Sequence, residues 1–438
     1  MSHYKPYPAY KDSGVEWLGA VPEHWEIRSV KSIARLDGGA GFPDEEQGQS
    51  NNPIPFFKVA ELASGLRSTA NTVTEETAKR LGAKIFPPGT LVFAKVGAAL
   101  LLNRRCLLDM PACLDNNMMA LLPGAYQSEW LFWLFSTLDM GVIANPGAVP
   151  SINQEQVGSI RLGMPTTAEQ KSIAQILSRE TARIDALIEK KTRFIELLRE
   201  KRQALIISVV TKGLDPNVRM KDSGVEWLGE VPEHWIVLQL RHTARLESGH
   251  TPSRSKPEYW VDCTTPWFTL ADVWQVRSGE QKYVSETSEK VSQLGLENSS
   301  ARLLPAGSVF LSRTASVGFP GIMAVDMATS QDFAVWTCTS ELFNEYLYYV
   351  LLGMKPDFDR LMMGSTHKTI YMPDIEAIRF ARPPLDEQRG IVSALSGQLG
   401  RFQIVIDKTE RSIELLKERR SALITAAVTG QIDLREVE

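Results

Sequence analysis

One long amphipathic stretch occurs twice in this chain, and that repetition constrains the fold more than any other feature. Across residues 165–215, apolar side chains fall at Ile173, Leu177, Ile184, Ile188, Ile195, Leu198, Leu205 and Val209. Steps of three, four or seven keep one helix face oily. Thr167 stands three residues before Gln170 as a capping box, and Gly213 supplies a stop. The spacing predicts a helix of about 42 residues, roughly 60 Å long at 1.5 Å per residue, far more than a globular core needs. Residues 383–433 repeat it 218 positions later. Glu169-Gln170 returns as Glu387-Gln388, Ile195-Glu196-Leu197-Leu198 as Ile413-Glu414-Leu415-Leu416, and Ala204-Leu205-Ile206 as Ala422-Leu423-Ile424.

A second repeat confirms the first. Residues 11–19 recur unchanged at 221–229, and Val21-Pro22-Glu23-His24-Trp25 recurs at 231–235, both at an offset of 210. The chain is therefore a tandem duplication. Its 438 residues divide into a first globule with its entry segment (1–164), a central long helix (165–215), a second globule with its entry segment (216–382), and a C-terminal long helix with a tail (383–438).

Each globule reads as α+β. In the first, Pro55-Phe56-Phe57-Lys58-Val59 and Thr90-Leu91-Val92-Phe93-Ala94-Lys95 have strand character, the latter after the turn Pro87-Pro88-Gly89. Residues 130–138 form a short aromatic helix. In the second globule, Pro266-Trp267-Phe268-Thr269-Leu270 matches the first strand at offset 211, and Leu304-Pro305-Ala306-Gly307-Ser308-Val309-Phe310 matches the second at 218. The growing offset places extra residues between Val273 and Leu304, most simply in a surface loop. Between these anchors the identities nearly vanish, as for one scaffold carrying two different readers.

The register predicts a pseudo-two-fold arrangement. Lys212-Gly213-Leu214-Asp215 runs straight on to Lys221-Asp222-Ser223-Gly224, so under a two-fold axis the chain ends meet where the other half has a continuous linker. The same axis sets the long helices antiparallel as a coiled coil, each covering the other's apolar seam. Glu189 with Arg193, and Asp407 with Arg411, stand at i, i+4 on the outer face.

Composition removes several function classes. Hydrophobic content of 43% and charged content of 23% are ordinary for a globular protein. No apolar run is long enough to span a bilayer, and the first residues are nothing like a signal peptide, so a cytoplasmic location is expected. Cys106, Cys113, Cys263 and Cys338 show no metal-like pairing, which suits a reducing compartment. A net charge of −4 argues mildly against nucleic-acid binding by bulk electrostatics, although a local basic groove remains compatible with it.

No catalytic constellation stands out. A phosphate-binding Gly-x-x-x-x-Gly-Lys-Ser/Thr loop is missing. Asn52-Pro53-Ile54-Pro55-Phe56 is similar to an amino-methyltransferase signature, but Ile54 breaks the Pro-Pro, and a strand-entry turn is the better reading. Pro356-Asp357 and Pro373-Asp374 lack the downstream acidic-x-Lys partner of a nuclease metal site. His24 and His234 lie inside the repeated entry segment, where a structural hydrogen-bonding role fits better than catalysis.

Polar loop residues form two comparable sets. The first is Lys95, Asn103, Arg104 and Arg105 after the second strand, with Ser151 and Asn153 later. The second is Ser312, Arg313, Thr314 and Ser316, with Arg254 and Lys256 earlier and Ser365, His367 and Lys368 later. Asn, Arg and Lys have the donor geometry for base edges, while Ser, Thr and Lys suit phosphates. Taken singly, each is equally well a solvated loop residue.

With two variable globules, two repeated helices opening on Glu-Gln after a proline, and Trp-Leu-Gly-x-Val-Pro-x-His-Trp before each globule, the chain resembles the specificity subunit of type I restriction-modification enzymes over essentially its whole length. Pro-x-Gly-Thr/Ser before a strand and Thr251-Pro252-Ser253 with Tyr259-Trp260 extend the match. Gly38-Gly39-Ala40-Gly41-Phe42 replaces the Thr-Pro-Ser turn in the first half.

The resemblance implies a non-catalytic DNA-binding subunit whose globules are target-recognition domains, each reading half of a bipartite, asymmetric double-stranded site. The helices set the spacer and dock two modification (adenine methyltransferase) subunits, with Ile184, Ile188, Ile195, Leu198, Leu205, Ile413, Leu416 and Leu423 as the partner-binding residues. Restriction subunits then join. The cofactors belong to those partners: S-adenosylmethionine to the modification subunits, ATP and Mg to the restriction subunits. The alternative is a protein-interaction scaffold whose coiled coil joins two ligand-binding globules; specific, salt-dependent duplex binding separates the two.

Overall fold

The repeated stretches fold as uninterrupted α-helices, the central one spanning Thr167–Lys212 and the C-terminal one Leu385–Val428. The computed structural model describes residues 4–362 and 368–437. The start of the central helix departs from the expected capping box. Thr167 is already helical, and Thr166 Oγ1 accepts the Glu169 N–H at 3.3 Å. Gln170 instead staples the helix to the globule: its amide donates to Pro165 O (2.8 Å), and its oxygen accepts the Gln127 N–H (3.3 Å). Gly213 ends the helix as expected, at φ +74°, a left-handed conformation that glycine takes without strain.

Two units partition the chain: residues 1–190 with 412–438, and residues 191–411. The central helix begins in the first unit and ends in the second, and the C-terminal helix does the reverse. Within each unit the two helical portions run antiparallel. In the first, Arg420 Nε lies 2.8 Å from Asp185 Oδ1, while Glu169 and Gly430, at the start of one helix and just past the end of the other, both stand against Trp25. In the second, Arg199 Nη2 donates to Glu410 Oε1 at 3.0 Å, while Glu387 and Gly213 both stand against Trp235.

The chain ends meet as the register requires. Strand Tyr4–Lys5 pairs antiparallel with Asp433–Val437 in the first unit, where the second unit has continuous backbone. Arg435 fastens this closure, bonding Asp433 at 2.7 Å and approaching Glu169 at 3.3 Å.

The helical apolar positions are occupied within the chain itself. Ile184, Ile195, Ile413 and Leu423 are buried, and Ile188, Leu198, Leu205 and Leu416 are half-buried. Ile184, Ile188, Leu416 and Leu423 pack in the core of the first unit and Leu205 in that of the second, and the large exposed apolar side chains on the helices are Leu187, Phe194, Leu197, Ile404, Val405 and Leu415. Arg193 turns toward Glu196 (2.8 Å) and Glu200 (3.8 Å) instead of Glu189.

Each globule holds one larger sheet, wholly antiparallel in the first unit and with one parallel pair in the second, beside a smaller mixed one. In the first unit the sheet order is Ala34–Gly38, Met118–Pro123, Leu91–Ala94, Arg105–Leu107. Leu91 to Ala94 are all buried, so this strand is central and its apolar run has no polar face. In the second unit the order is Ala244–Ser248, Phe333–Cys338, Val309–Ser312, Pro320–Met323, Tyr283–Val284. The extra residues after Val273 are therefore more than a surface loop, since they supply the added edge strand Tyr283–Val284, parallel to its neighbour. The aromatic helix is Ser128–Ser136, and Trp130 meets Trp25 edge-on with ring centroids 5.7 Å apart.

Candidate nucleic-acid interface

The long helices are tied to the globules by one repeated clamp. Strand Glu26–Ser29 pairs with Arg161–Met164, and Ile236–Gln239 with Arg379–Arg382, which brings each entry segment to the start of a long helix. There Glu169 accepts from Trp25 Nε1 (3.4 Å) and Tyr7 Oη (2.9 Å), and lies 2.9 Å from His24 Nε2. Glu387 accepts from Trp235 Nε1 (3.0 Å) and lies 2.8 Å from His234 Nε2. Burial and the neighbouring Glu169 charge push the Tyr7 hydroxyl well above its ordinary value, so it stays a donor. The histidines thus have the structural role that their position in the repeat suggested.

Lys95 and Arg313 stand at the same end of each central strand, on equivalent frames. Lys95 follows Leu91–Ala94; its N–H donates to Asn117 O and its carbonyl accepts from the Ile152 N–H, both at 2.9 Å. Arg313 follows Val309–Ser312; its N–H donates to Asp332 O and its carbonyl accepts from the Ile370 N–H, both at 2.8 Å. The next residues form matching bridges, Val96 with Ser151 and Thr314 with Thr369. Gly97 (φ +70°) and Ala315 (φ +58°) then turn both chains the same way. Gly39 and Gly249 seat the neighbouring loops, for a Cβ there would stand 1.9 Å from Asp115 O and 2.2 Å from Thr329 O.

On this shared frame the expected site residues separate by what their side chains touch. Lys95 reaches over Gly38, and neither its side chain nor that of Arg104 or Lys368 makes an ion pair or hydrogen bond among the described residues. Arg313 Nη2 donates to Gln331 O at 2.7 Å. Ser316 Oγ accepts from Arg277 at 3.1 Å, and Thr314 is half-buried beside it. Arg254 stacks 3.8 Å over the Trp260 ring and pairs with Glu289, while Lys256 Nζ donates to Tyr259 Oη at 3.0 Å.

Four others are occupied structurally. Arg105 donates to Asn103 O (2.9 Å) and Leu138 O (3.1 Å), and burial lowers its guanidinium to about 10. Asn103 bonds Asp139 (3.0 Å) and the Met140 N–H (2.8 Å). Asn153 caps the helix Gln154–Ser159, and Ser312 is buried with Oγ accepting the Phe319 N–H at 3.0 Å. Ser151 lies in the bridge to Val96. Ser365 and His367 lie outside the described residues.

One surface residue at this end, Trp274, carried no sequence signal. Trp274 is 70% exposed on the short helix Trp274–Arg277, whose Arg277 holds Ser316. Thr251 Oγ1 donates to Gln331 Oε1 at 2.7 Å, joining the loop before Arg254 to the one under Arg313. In the first unit Phe42 stacks on Phe56 with centroids 3.9 Å apart, while in the second Trp260 covers Trp267. Phe42 of the glycine-rich segment thus covers the strand aromatic in the first unit, as Trp260 does in the second. Among the described residues no group of His, Cys, Asp or Glu could hold a metal, and no helix is long and apolar enough to cross a membrane.

Comparison with known proteins agrees with this architecture. The family model described as the type I restriction modification DNA specificity domain matches residues 22–197 and again 232–416. The putative type I restriction enzyme MjaX specificity subunit of Methanocaldococcus jannaschii is 22% identical over 431 residues, covering 95% of this chain and 96% of that protein. The MjaIX specificity subunit of the same organism is also 22% identical, covering 96% of each. A chain from a structure described for complex assembly and conformational transition of the type I R-M system superposes with a TM-score of 0.73 at 15% identity, covering 94% of this chain and 99% of that one. The HsdS subunit from Thermoanaerobacter tengcongensis gives 0.56 at 16% identity, covering 94% and 98%. With two specificity domains in tandem and relatives matched over nearly their full length, this chain belongs to the type I restriction-modification specificity subunits, the family that recognises DNA sequence in those systems.

Proposed function

We propose that each unit reads one half of a bipartite DNA site through the loops at the end of its central strand. The observation that carries this reading is the equivalence of Lys95 and Arg313: one backbone frame, a cation in the same place in each unit, and loops of different chemistry around it. A fixed frame with variable loops is what two independent half-site specificities require, because phosphate contacts position a protein and base-edge contacts specify sequence.

The helices fix the spacer. At 46 and 44 residues they run about 69 and 66 Å, roughly two turns of duplex at about 34 Å each. Modification subunits dock on them, two per chain, and restriction subunits join that assembly. Ile184, Ile195, Ile413 and Leu423 are buried and Ile188, Leu198, Leu205 and Leu416 half-buried, so docking draws chiefly on the exposed helical side chains, among them Leu187, Phe194 and Leu197. The chain contributes recognition; methyl transfer from S-adenosylmethionine, with the target adenine flipped from the stack, and ATP- and Mg-dependent work belong to the partners.

The test is competition binding by the assembled complex on duplexes selected from a randomised pool. A split motif with a fixed gap, and a log-affinity falling linearly with log salt, supports the reading. Binding that shows no sequence preference refutes it.

A further inference from the structure

The two central strands deliver their equivalent cations into loops of opposite character. In the second unit Arg313 is followed by Thr314, Ala315 and Ser316. In the first, the loop after Lys95 is longer, coils into the helix Gly97–Leu101, and leaves Leu101 54% and Leu102 62% exposed. Val142 (82% exposed) and Val149 (63%) adjoin them. The Leu101 side chain comes within 3.2 Å of where a Cβ on Gly141 would stand, and Val149 within 4.0 Å of that point on Gly97. Single exposed apolar side chains are ordinary on protein surfaces, but an adjoining group with polar neighbours marks a contact surface.

Charge decides what covers it. Lys95 and Arg104 stand at the two ends of the loop, and neither side chain is paired among the described residues. The acid beside the patch, Asp139, is held by Asn103 Nδ2 at 3.0 Å and the Gly141 N–H at 2.9 Å. An apolar surface bracketed by free cations suits a polyanion with apolar points on it. In duplex DNA the C5 methyl of thymine is the apolar group that the bases present in the major groove. We infer that Leu101, Leu102, Val142 and Val149 pack on thymine methyl groups in the half-site read by the first unit, an inference that rests on the DNA-reading function proposed above. Thr314 and Ser316, on the equivalent loop, instead offer hydroxyls for hydrogen-bonded readout in the other half.

The test uses the full chain assembled with its modification subunits and a pool of duplexes randomised over the site. Wild-type protein should select a split motif with at least one A·T pair in one half. L101S/L102S should lose that preference and leave the other half unchanged. Replacing the selected thymine by deoxyuridine, which removes only the methyl, should weaken wild-type binding about fourfold per methyl and leave the double variant unaffected. This second arm alters no protein, so it stands even where the variant folds poorly. Equal affinity for thymine and deoxyuridine, or an effect confined to the half that the variant does not disturb, overturns the inference while leaving the DNA-reading function intact. Release of modification subunits by L101S/L102S with an unchanged motif overturns it in favour of protein docking. Failure of the wild type to select any split motif overturns both.

Discussion

The Glu387 carboxyl accepts the indole N–H of Trp235 at 3.0 Å, and Glu169 holds Trp25 in the same way in the other unit. Each glutamate opens a long helix and each tryptophan closes an entry segment, so the pair is the joint between rod and globule. Glu169→Ala and Glu387→Ala should each destabilise the chain by about 1–3 kcal/mol, the cost of leaving buried donors unpaired. Glu169→Ala should cost more, because that carboxyl is the more buried and also takes Tyr7 and faces Arg435. Urea titrations of the two variants provide the comparison.

Two glycines are required by space rather than by backbone angle. A Cβ on Gly39 or Gly249 would collide with main-chain oxygens that cannot swing aside. Gly39→Ala and Gly249→Ala should therefore lower stability by about 3 kcal/mol or more. Gly41→Ala, whose Cβ meets nothing within 4 Å, should stay within about 0.5 kcal/mol of wild type. Thermal unfolding of the three variants separates them.

The closure of the chain ends depends on pH. Burial works to raise the Asp433 carboxyl, but hydrogen bonds from Arg435 outweigh it and hold it below the ordinary aspartate value. A depressed folded value stabilises the fold above the unfolded value, and that contribution is lost as pH falls through the folded one. Acidification should therefore loosen the pairing of Tyr4–Lys5 with Asp433–Val437, and Asp433→Asn should remove that pH dependence. Amide hydrogen exchange at Tyr4 and Lys5 across the acid range is the readout.

Much of the architecture was legible because it was written twice. Repeats at offsets of 210 and 218 gave two units, opposed helices and joined ends, and the structure has all three within its units. The added strand Tyr283–Val284 was not legible: two residues carry no period, and only parallel pairing with Pro320–Met323 makes them a strand. The site was legible as a region more than as residues. Lys95 and Arg313 follow apolar strands and match at 218, so their equivalence is visible in the sequence. Arg105 reads as an equally good candidate, yet a one-residue difference along a strand decides which face a side chain takes, and Arg105 faces inward to Leu138. Trp274 was missed because nothing in a sequence distinguishes a tryptophan pointing to solvent from one in a core.

These placements change what two arginine substitutions should do. Arg313→Ala should weaken duplex binding by the complex with little loss of stability. Arg105→Ala should act mainly through stability, by about 1–3 kcal/mol, because it orphans two carbonyls. Trp274→Ala should leave folding intact and weaken binding, with Trp274→Phe restoring part of it. Filter binding beside a denaturant melt distinguishes the three.

Inserting seven residues into both long helices, at matched positions, lengthens each by about 10 Å. If the helices set the gap between half-sites, the selected motif should keep both halves and widen its spacer by about three base pairs, near 3.4 Å each. An unchanged spacer would remove the helices from that role.

The central claim is that the two units read independently. Its most direct test replaces residues 26–160 with the corresponding globule of another member of the family and sequences the motif selected by the reassembled complex. One half-site should change to that of the donor, while the other half and the spacer stay as they were. A change in both halves, or in neither, would contradict it.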